Sequence, residues 1–86
     1  MILRIREARV CGPHSLRLTF NDGITKQVDA SPLLDGPIFE PLRDPAYFSL
    51  MTLDTIRDTV VWPNGADFAP EALHEVGAEV ESESAA

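Results

Sequence analysis

Residues 60–73 read Val-Val-Trp-Pro-Asn-Gly-Ala-Asp-Phe-Ala-Pro-Glu-Ala-Leu and give the clearest indication of the fold. An apolar run ends in the only tryptophan, a proline follows, and Asn64-Gly65 is a strong turn signal. Pro70 and Glu71 then suit the start of a helix, because proline fits the first helical position and an acid is favourable near the positive helix end. The stretch predicts a strand, a turn and a helix in succession.

A β-hairpin is predicted upstream of this stretch. Residues 16–20 alternate apolar and polar side chains, which is typical of a strand with one buried face. Residues 21–23, Asn-Asp-Gly, suit a tight connection because glycine readily adopts a positive φ, and residues 24–28 return as the partner strand. Residues 2–10 predict an earlier strand, with a bulge or register change near Glu7–Ala8.

Two short helical turns and two further strands are predicted between the hairpin and the tryptophan. Asp29 or Ser31 can cap a turn that starts at Pro32, and Asp44 can cap one that starts at Pro45. Residues 50–53 and 56–62 have the apolar content of short strands. The predicted fold class is therefore α+β, with a small antiparallel sheet of about four to five strands covered by short helices.

Length and composition predict one small domain. The 86 residues are 44% hydrophobic, and we expect a single α+β domain over residues 1–76. Residues 77–86 are expected to form an acidic disordered tail, because they cannot bury enough apolar surface to order themselves. Charges at positions 4, 6 and 7 argue against a signal peptide, and the uncharged stretch 45–53 is too short to span a bilayer. A cytoplasmic protein without membrane contact is expected.

The net charge of −7 is unevenly distributed. Residues 1–62 hold all seven basic residues and eight acids, whereas residues 63–86 hold six acids and no basic residue. This acidic segment favours a small protein partner of basic character. It also argues against direct nucleic-acid binding, which needs a basic footprint for phosphates.

Four arginines could nevertheless form a local basic patch if the first two strands pair: Arg4, Arg6, Arg9 and Arg17. One interpretation is a solvated sheet face that nearby acids balance. The other is a binding surface for an anionic partner.

Candidate reactive residues are few. Cys11 is the only cysteine, so neither an internal disulfide nor a cysteine cluster for zinc can form. A nucleophilic Cys11 would need a neighbouring base such as His14, and a small buried thiol is the simpler interpretation. His14 and His74 could share a metal or acid–base site only if they converged with a carboxylate. We therefore predict no catalytic residue, no metal and no cofactor, with a small enzyme using these residues as the least favoured alternative.

The residues around Trp62 allow two interpretations. Trp62 can fill the core while Asn64 and Asp67 hold the following turn through bonds to their own backbone. Alternatively, Trp62, Asn64, Asp67 and Phe68 form an exposed binding edge, since tryptophan is common in interfaces. Arg43 is a candidate salt-bridge partner for Asp67 in either case.

The chain resembles a small bacterial family of unknown function, DUF2442, over residues 3–74. The resemblance rests on these residues: Val28-Asp29, Pro32-Leu33-Leu34, Gly36, Phe39, Leu42, Asp44-Pro45, Phe48, Val61-Trp62-Pro63-Asn64-Gly65-Ala66-Asp67 and Pro70-Glu71. It implies a compact α+β domain with an antiparallel sheet and short covering helices. Some relatives precede a helix-turn-helix domain, and others stand alone beside another small protein, an arrangement suggestive of toxin–antitoxin pairs. The family supplies no catalytic residues to carry over.

Together these features predict a non-catalytic protein-binding domain of a small bacterial two-protein module resembling a toxin–antitoxin pair. Its mechanism would be stoichiometric capture of a partner through a sheet edge or a helix face. The first alternative is a self-associating accessory domain of a transcription regulator, active as a homodimer.

Overall fold

A computed structural model describes residues 2–80. Its strands are β1 (Ile5–Val10), β2 (Ser15–Phe20), β3 (Thr25–Asp29), β4 (Thr52–Asp54), β5 (Thr59–Val61) and β6 (Ala78–Glu79). Its α-helices are α1 (Pro45–Phe48) and α2 (Pro70–Val76), and two 3-10 helices span Ser31–Leu33 and Glu40–Arg43. The strands form one antiparallel sheet in the order β1-β2-β3-β6 and a smaller sheet of β4 and β5. The predicted α+β class is confirmed.

The hairpin of β2 and β3 forms where the sequence predicts it. Thr19 lies opposite Thr25, and the intervening turn contains Gly23 at a φ of +86°. The Asp22 carboxylate accepts a hydrogen bond from the Ile24 N–H at 3.0 Å, which holds the turn locally. A residue with a Cβ would be strained at the position of Gly23, so the turn depends on glycine.

A bulge in β1 decides which of its side chains reach the core. Ile5 lies opposite Phe20, and Glu7 already lies opposite Thr19, so Arg6 is the extra residue. Without the bulge, positions 5, 7 and 9 would share one face of the strand. With it, Ile5 is buried, whereas Glu7 and Arg9 are exposed. The predicted irregularity therefore exists, but it lies at residues 5–7, just before the Glu7–Ala8 position that the sequence indicates.

The core lies on one face of the four-stranded sheet. Helix α2 covers that face by burying Leu73 completely, and the Lys26 ammonium donates a hydrogen bond to the His74 carbonyl oxygen. The His74 ring also meets the Phe20 ring edge to face at 4.7 Å between centroids. The buried apolar residues are Ile5, Leu16, Leu18, Phe20, Val28, Ala30, Leu34, Leu42, Phe48, Val60, Trp62, Ala66, Phe68 and Leu73.

The predicted strand over residues 56–62 begins later than expected. Residues 55–58 form a turn, and β5 starts at Thr59. The Asp54 carboxylate accepts hydrogen bonds from the N–H groups of Ile56 at 2.8 Å and Arg57 at 3.1 Å. The backbone N–H groups therefore bond to this side chain instead of to a neighbouring strand, and a turn forms. Ile56 is left 91% exposed.

Ordered structure continues past residue 76, the predicted end of the domain. Ala78 lies opposite Gln27 and Glu79 opposite Lys26, and the Val80 N–H donates to the Thr25 carbonyl oxygen at 3.0 Å. The predicted disorder of residues 81–86 lies outside the described residues. Within residues 2–80 the longest helix has seven residues, so none of these helices could cross a membrane.

Candidate functional site

Trp62 belongs to the core. Its side chain is 3% exposed, and its indole N–H donates a hydrogen bond to the Phe48 carbonyl oxygen at 2.9 Å. The indole packs against the Phe48 ring at 5.4 Å and meets Phe68 edge to face at 5.7 Å between centroids. The most strongly interface-prone residue of the candidate edge is therefore turned inward.

Phe68 is also buried and ties two segments together. Its ring stacks on Phe39 at 4.9 Å between centroids, with an angle of 4° between the planes. Its carbonyl oxygen accepts a hydrogen bond from the hydroxyl of the buried Thr59 at 2.5 Å. Trp62 and Phe68 of the candidate edge therefore both belong to the core.

Asn64 is exposed and holds the turn in two directions. Its Oδ1 accepts from the Ala66 N–H at 3.1 Å, and its Nδ2 donates to the Ile38 carbonyl oxygen at 2.9 Å. Gly65 has a φ of +89°, and the Trp62 N–H bonds the Ala66 carbonyl oxygen at 2.9 Å. The first bond is the local one that the sequence predicts, whereas the bond to Ile38 reaches a distant loop.

Asp67 pairs with Arg57 rather than with Arg43, the partner suggested by the sequence. Its carboxylate lies 3.0 Å from Arg57 Nη1, and the same guanidinium lies 3.9 Å from Asp54. The Arg43 Nε donates to the Leu34 carbonyl oxygen at 2.9 Å. The difference arises because Arg57 lies in the β4–β5 turn, and an isolated antiparallel β-bridge pairs Asp67 with Val61 of β5.

The two histidines lie at opposite ends of β2. His14 precedes this strand, and its Nε2 donates to the Arg43 carbonyl oxygen at 2.6 Å. His74 lies beside the turn that follows β2, with its Nε2 3.0 Å from the Asp22 carboxylate. The six-residue strand between them spans about 20 Å at ~3.3 Å per residue. Each histidine joins a different pair of elements, and the two cannot share a ligand.

Cys11 is exposed, so the interpretation as a small buried thiol was wrong. The reason is the loop between β1 and β2, which closes through a hydrogen bond of 2.9 Å from the Cys11 N–H to the Ser15 carbonyl oxygen. Among residues 2–80 no three histidine, cysteine, aspartate or glutamate side chains are grouped so as to hold a metal ion.

Three aspartates carry pKa values below the ordinary 3.8, and each does so through the backbone of a turn. The Ile24 N–H lowers the pKa of Asp22, with a further contribution from His74. The Ser31 N–H lowers the pKa of Asp29, and the N–H groups of Arg57 and Ile56 lower that of Asp54. These carboxylates therefore act as turn-forming acceptors.

Three exposed glutamates lie on α2 and β6. Glu71 and Glu75 project from the exposed side of α2, and Glu79 is exposed on β6. β6 stands at one end of the sheet order. Residues 63–80 contain no lysine or arginine, and the basic residue beside these acids is Lys26 of β3, which lies opposite Glu79.

The other face of the four-stranded sheet carries basic residues. Arg9 of β1 lies directly opposite Arg17 of β2, as the proposed patch requires. A pocket of about 150 Å³ lies over this row and is lined by Glu7, Ala8, Arg9, Arg17 and Thr19.

Comparison with known proteins yields one match. A family model described as "Protein of unknown function (DUF2442)" matches residues 5–77. No curated protein and no solved structure matches the chain.

Proposed function

The chain belongs to the DUF2442 family of proteins of unknown function, and we propose that it is a non-catalytic protein-binding domain. In this proposal it acts in the bacterial cytoplasm as one component of a two-protein module of the toxin–antitoxin kind. The observation that carries the proposal is the group of exposed glutamates on α2 and β6, Glu71, Glu75 and Glu79. The two-protein module itself is what the resemblance to this family implies.

The partner surface consists of Glu71, Glu75 and Glu79. Leu73 anchors α2 in the core, and the Lys26 ammonium holds the carbonyl oxygen of His74. Glu71 and Glu75 are therefore presented on a helix that is already formed, and Glu79 on a paired strand, so little conformational entropy is lost on binding. Charges of one sign on such a face accelerate encounter with a basic partner, and salt weakens that attraction.

Several of the polar groups that could perform chemistry already serve the fold. The His14 ring donates a hydrogen bond to the Arg43 carbonyl oxygen. The His74 ring bonds the Asp22 carboxylate and so joins α2 to the hairpin turn. Asp22, Asp29 and Asp54 accept backbone hydrogen bonds. These assignments favour a mechanism of stoichiometric capture without a chemical step.

Affinity capture with the tagged full chain tests this function. The chain is used to recover proteins from an extract of its source organism, and the affinity of the recovered partner is then measured at two salt concentrations. We expect one small basic protein in stoichiometric amount, bound more weakly at high salt. Glu75→Gln should weaken binding about two- to fivefold, as expected for a charge at the rim of an interface.

Glu40→Gln is the matched control, because it makes the same chemical change at an exposed position in the 3-10 helix Glu40–Arg43. It should leave the affinity unchanged. Recovery of the chain alone as a defined oligomer would contradict the proposal and favour the self-associating accessory domain. Equal losses in Glu40→Gln and Glu75→Gln would show that net charge, and not this face, governs binding.

A further inference from the structure

The turn that follows Trp62 places an asparagine, Asn64, directly before a glycine, Gly65. We propose that Asn64 is a deamidation site that the native turn keeps unreactive, and that its modification breaks the hydrogen bond between this turn and Ile38. The reactants are the Asn64 side-chain amide, the Gly65 backbone nitrogen and water. The site is separate from the exposed glutamates of α2 and β6, so this inference does not depend on the proposed function.

The reaction joins two groups that are neighbours in the chain. The Gly65 nitrogen attacks the Asn64 Cγ, and the new N–C bond closes a succinimide ring. The bond from Cγ to Nδ2 breaks, and the proton of the Gly65 N–H leaves with that nitrogen as ammonia. Water then adds to one of the two ring carbonyl groups and opens the ring, which gives aspartate or isoaspartate. Each step is a substitution or a hydrolysis, so water is the only co-reactant.

The geometry of the turn requires the glycine that favours this reaction. Gly65 has a φ of +89°, which a residue with a Cβ adopts only at an energetic cost. Apart from the chain neighbours, no described atom lies within 4 Å of an added Cβ, so the backbone angle rather than crowding favours glycine. The missing side chain also leaves the Gly65 nitrogen open to approach by the Asn64 amide. Both residues are exposed, so water reaches the turn.

Three hydrogen bonds hold these groups in an unreactive arrangement. The Gly65 N–H donates to the Trp62 carbonyl oxygen at 2.9 Å, so the attacking nitrogen is already engaged. The Asn64 Oδ1 accepts from the Ala66 N–H at 3.1 Å. The Asn64 Nδ2, which is the leaving group, donates to the Ile38 carbonyl oxygen at 2.9 Å. Ring closure needs the amide to turn towards the Gly65 nitrogen, so these bonds must open first.

Modification removes a donor that the native turn uses. A carboxylate oxygen replaces the Asn64 Nδ2, and a carboxylate only accepts hydrogen bonds. Two acceptors would then face each other where Asn64 now bonds Ile38, so this contact is lost. The isoaspartate product also lengthens the main chain between Trp62 and Ala66, whose N–H and carbonyl groups close the turn at 2.9 Å. The modified turn therefore separates from the Ile38 loop.

Asn21 provides a matched comparison within the same chain. Its Nδ2 donates to the Ile2 carbonyl oxygen at 2.8 Å, and its Oδ1 accepts from the Arg4 N–H at 3.0 Å. The amide is therefore held as that of Asn64 is, through one hydrogen bond donated and one accepted. Asn21 precedes Asp22, whose side chain hinders approach to the backbone nitrogen. A difference in reactivity between the two asparagines in the unfolded chain reports the effect of the following residue.

The first test follows deamidation of the full chain by mass spectrometry at mildly alkaline pH, with and without guanidinium chloride. Fragment spectra locate the change at Asn21 or Asn64, and chromatography separates the aspartate and isoaspartate peptides. Each hydrogen bond that must open slows the reaction about fivefold, so Asn64 should react about a hundredfold more slowly in the folded than in the unfolded chain. Equal rates in the two states would overturn the protection. Equal rates at the two asparagines in the unfolded chain would overturn the role of Gly65.

The second test examines the consequence with Asn64→Asp, which is one of the reaction products. Loss of the donor to Ile38 should speed hydrogen exchange of the Phe39 N–H about fivefold. This N–H bonds the Gly36 carbonyl oxygen at 3.2 Å in the same loop. Asn21→Asp makes the same chemical change elsewhere and should leave that exchange rate unaltered. Unaltered exchange in Asn64→Asp, or equal acceleration in both variants, would overturn the link between Asn64 and the Ile38 loop.

Discussion

Replacing Trp62 with phenylalanine should destabilise the domain without altering its surface. The change removes the indole N–H that bonds the Phe48 carbonyl oxygen and leaves a smaller ring beside Phe48 and Phe68. The Phe48 carbonyl oxygen also accepts from the Met51 N–H at 3.3 Å, so it keeps one partner. The hydrogen-bond loss should therefore fall near the low end of the usual penalty, about 1 kcal/mol.

The volume change adds a second loss. Roughly 40 Å³ of side chain disappears, which at about 24 cal/mol per Å³ of unfilled cavity costs about 1 kcal/mol. The free energy of unfolding should fall by about 2 kcal/mol in total, from the roughly 4–13 kcal/mol typical of a chain of this length. The melting temperature should fall by roughly 8–16 °C.

Urea unfolding followed by far-ultraviolet circular dichroism measures this change, because the variant lacks the only tryptophan needed for fluorescence. The urea dependence of the unfolding free energy should stay constant if the folded state remains compact. Ile56→Ala is the control, since that side chain is 91% exposed and should change stability by less than about 0.5 kcal/mol. A Trp62→Phe variant with unchanged stability but weakened partner binding would refute the assignment of Trp62 to the core.

Further predictions concern a close contact and a titrating turn. Gly77→Ala should lower the free energy of unfolding by about 1–3 kcal/mol in urea titrations. The added Cβ would lie 2.9 Å from Val28 Cγ2 and 3.0 Å from the Leu73 carbonyl oxygen, which is too close for either contact. An unchanged urea midpoint would contradict this packing. The pKa of Asp54 is lowered from 3.8 by the N–H groups of Arg57 and Ile56, so its stabilising effect is present above about pH 3.8 and disappears as the pH falls through the lower folded-state value. Asp54→Asn keeps the acceptor but cannot titrate, so its stability should depend less on pH between 5 and 2 in thermal melts; identical pH profiles would exclude this role.

Local hydrogen-bond chemistry explains why the turns were predictable. Asp22, Asp29, Asp44 and Asn64 each accept a hydrogen bond from the backbone N–H two residues later. These bonds need only the side chain and its immediate neighbours, so residue type and spacing suffice to place them. At Asp54 the same kind of hydrogen bond stabilises a turn at residues 55–58, where the sequence predicted the start of a strand.

The candidate site was less predictable because its partners are distant along the chain. Tryptophan is common both in cores and in interfaces, and only the burial of Trp62 against Phe48 and Phe68 in the folded chain decides between them. Arg43 and Arg57 are equally plausible partners for Asp67 in the sequence, and the packing of the β4–β5 turn selected Arg57. The opposition of Arg9 and Arg17 needed only strand pairing, so the sequence could anticipate it.

By itself, the sequence determined the elements whose interactions span a few residues: the β2–β3 hairpin, the proline-led helices, the bulge in β1 and the acidic character of the C-terminal segment. Tertiary structure alone decided that Ala78–Glu79 would pair with β3 and that Cys11 would be exposed to solvent. It also decided that His14 and His74 would bond to different partners, Arg43 and Asp22. The physical reason is that the free energy of a turn, or of an alternating strand pattern, comes from residues close together in the sequence. Strand pairing and burial depend instead on which segments, distant in the sequence, pack together and exclude water.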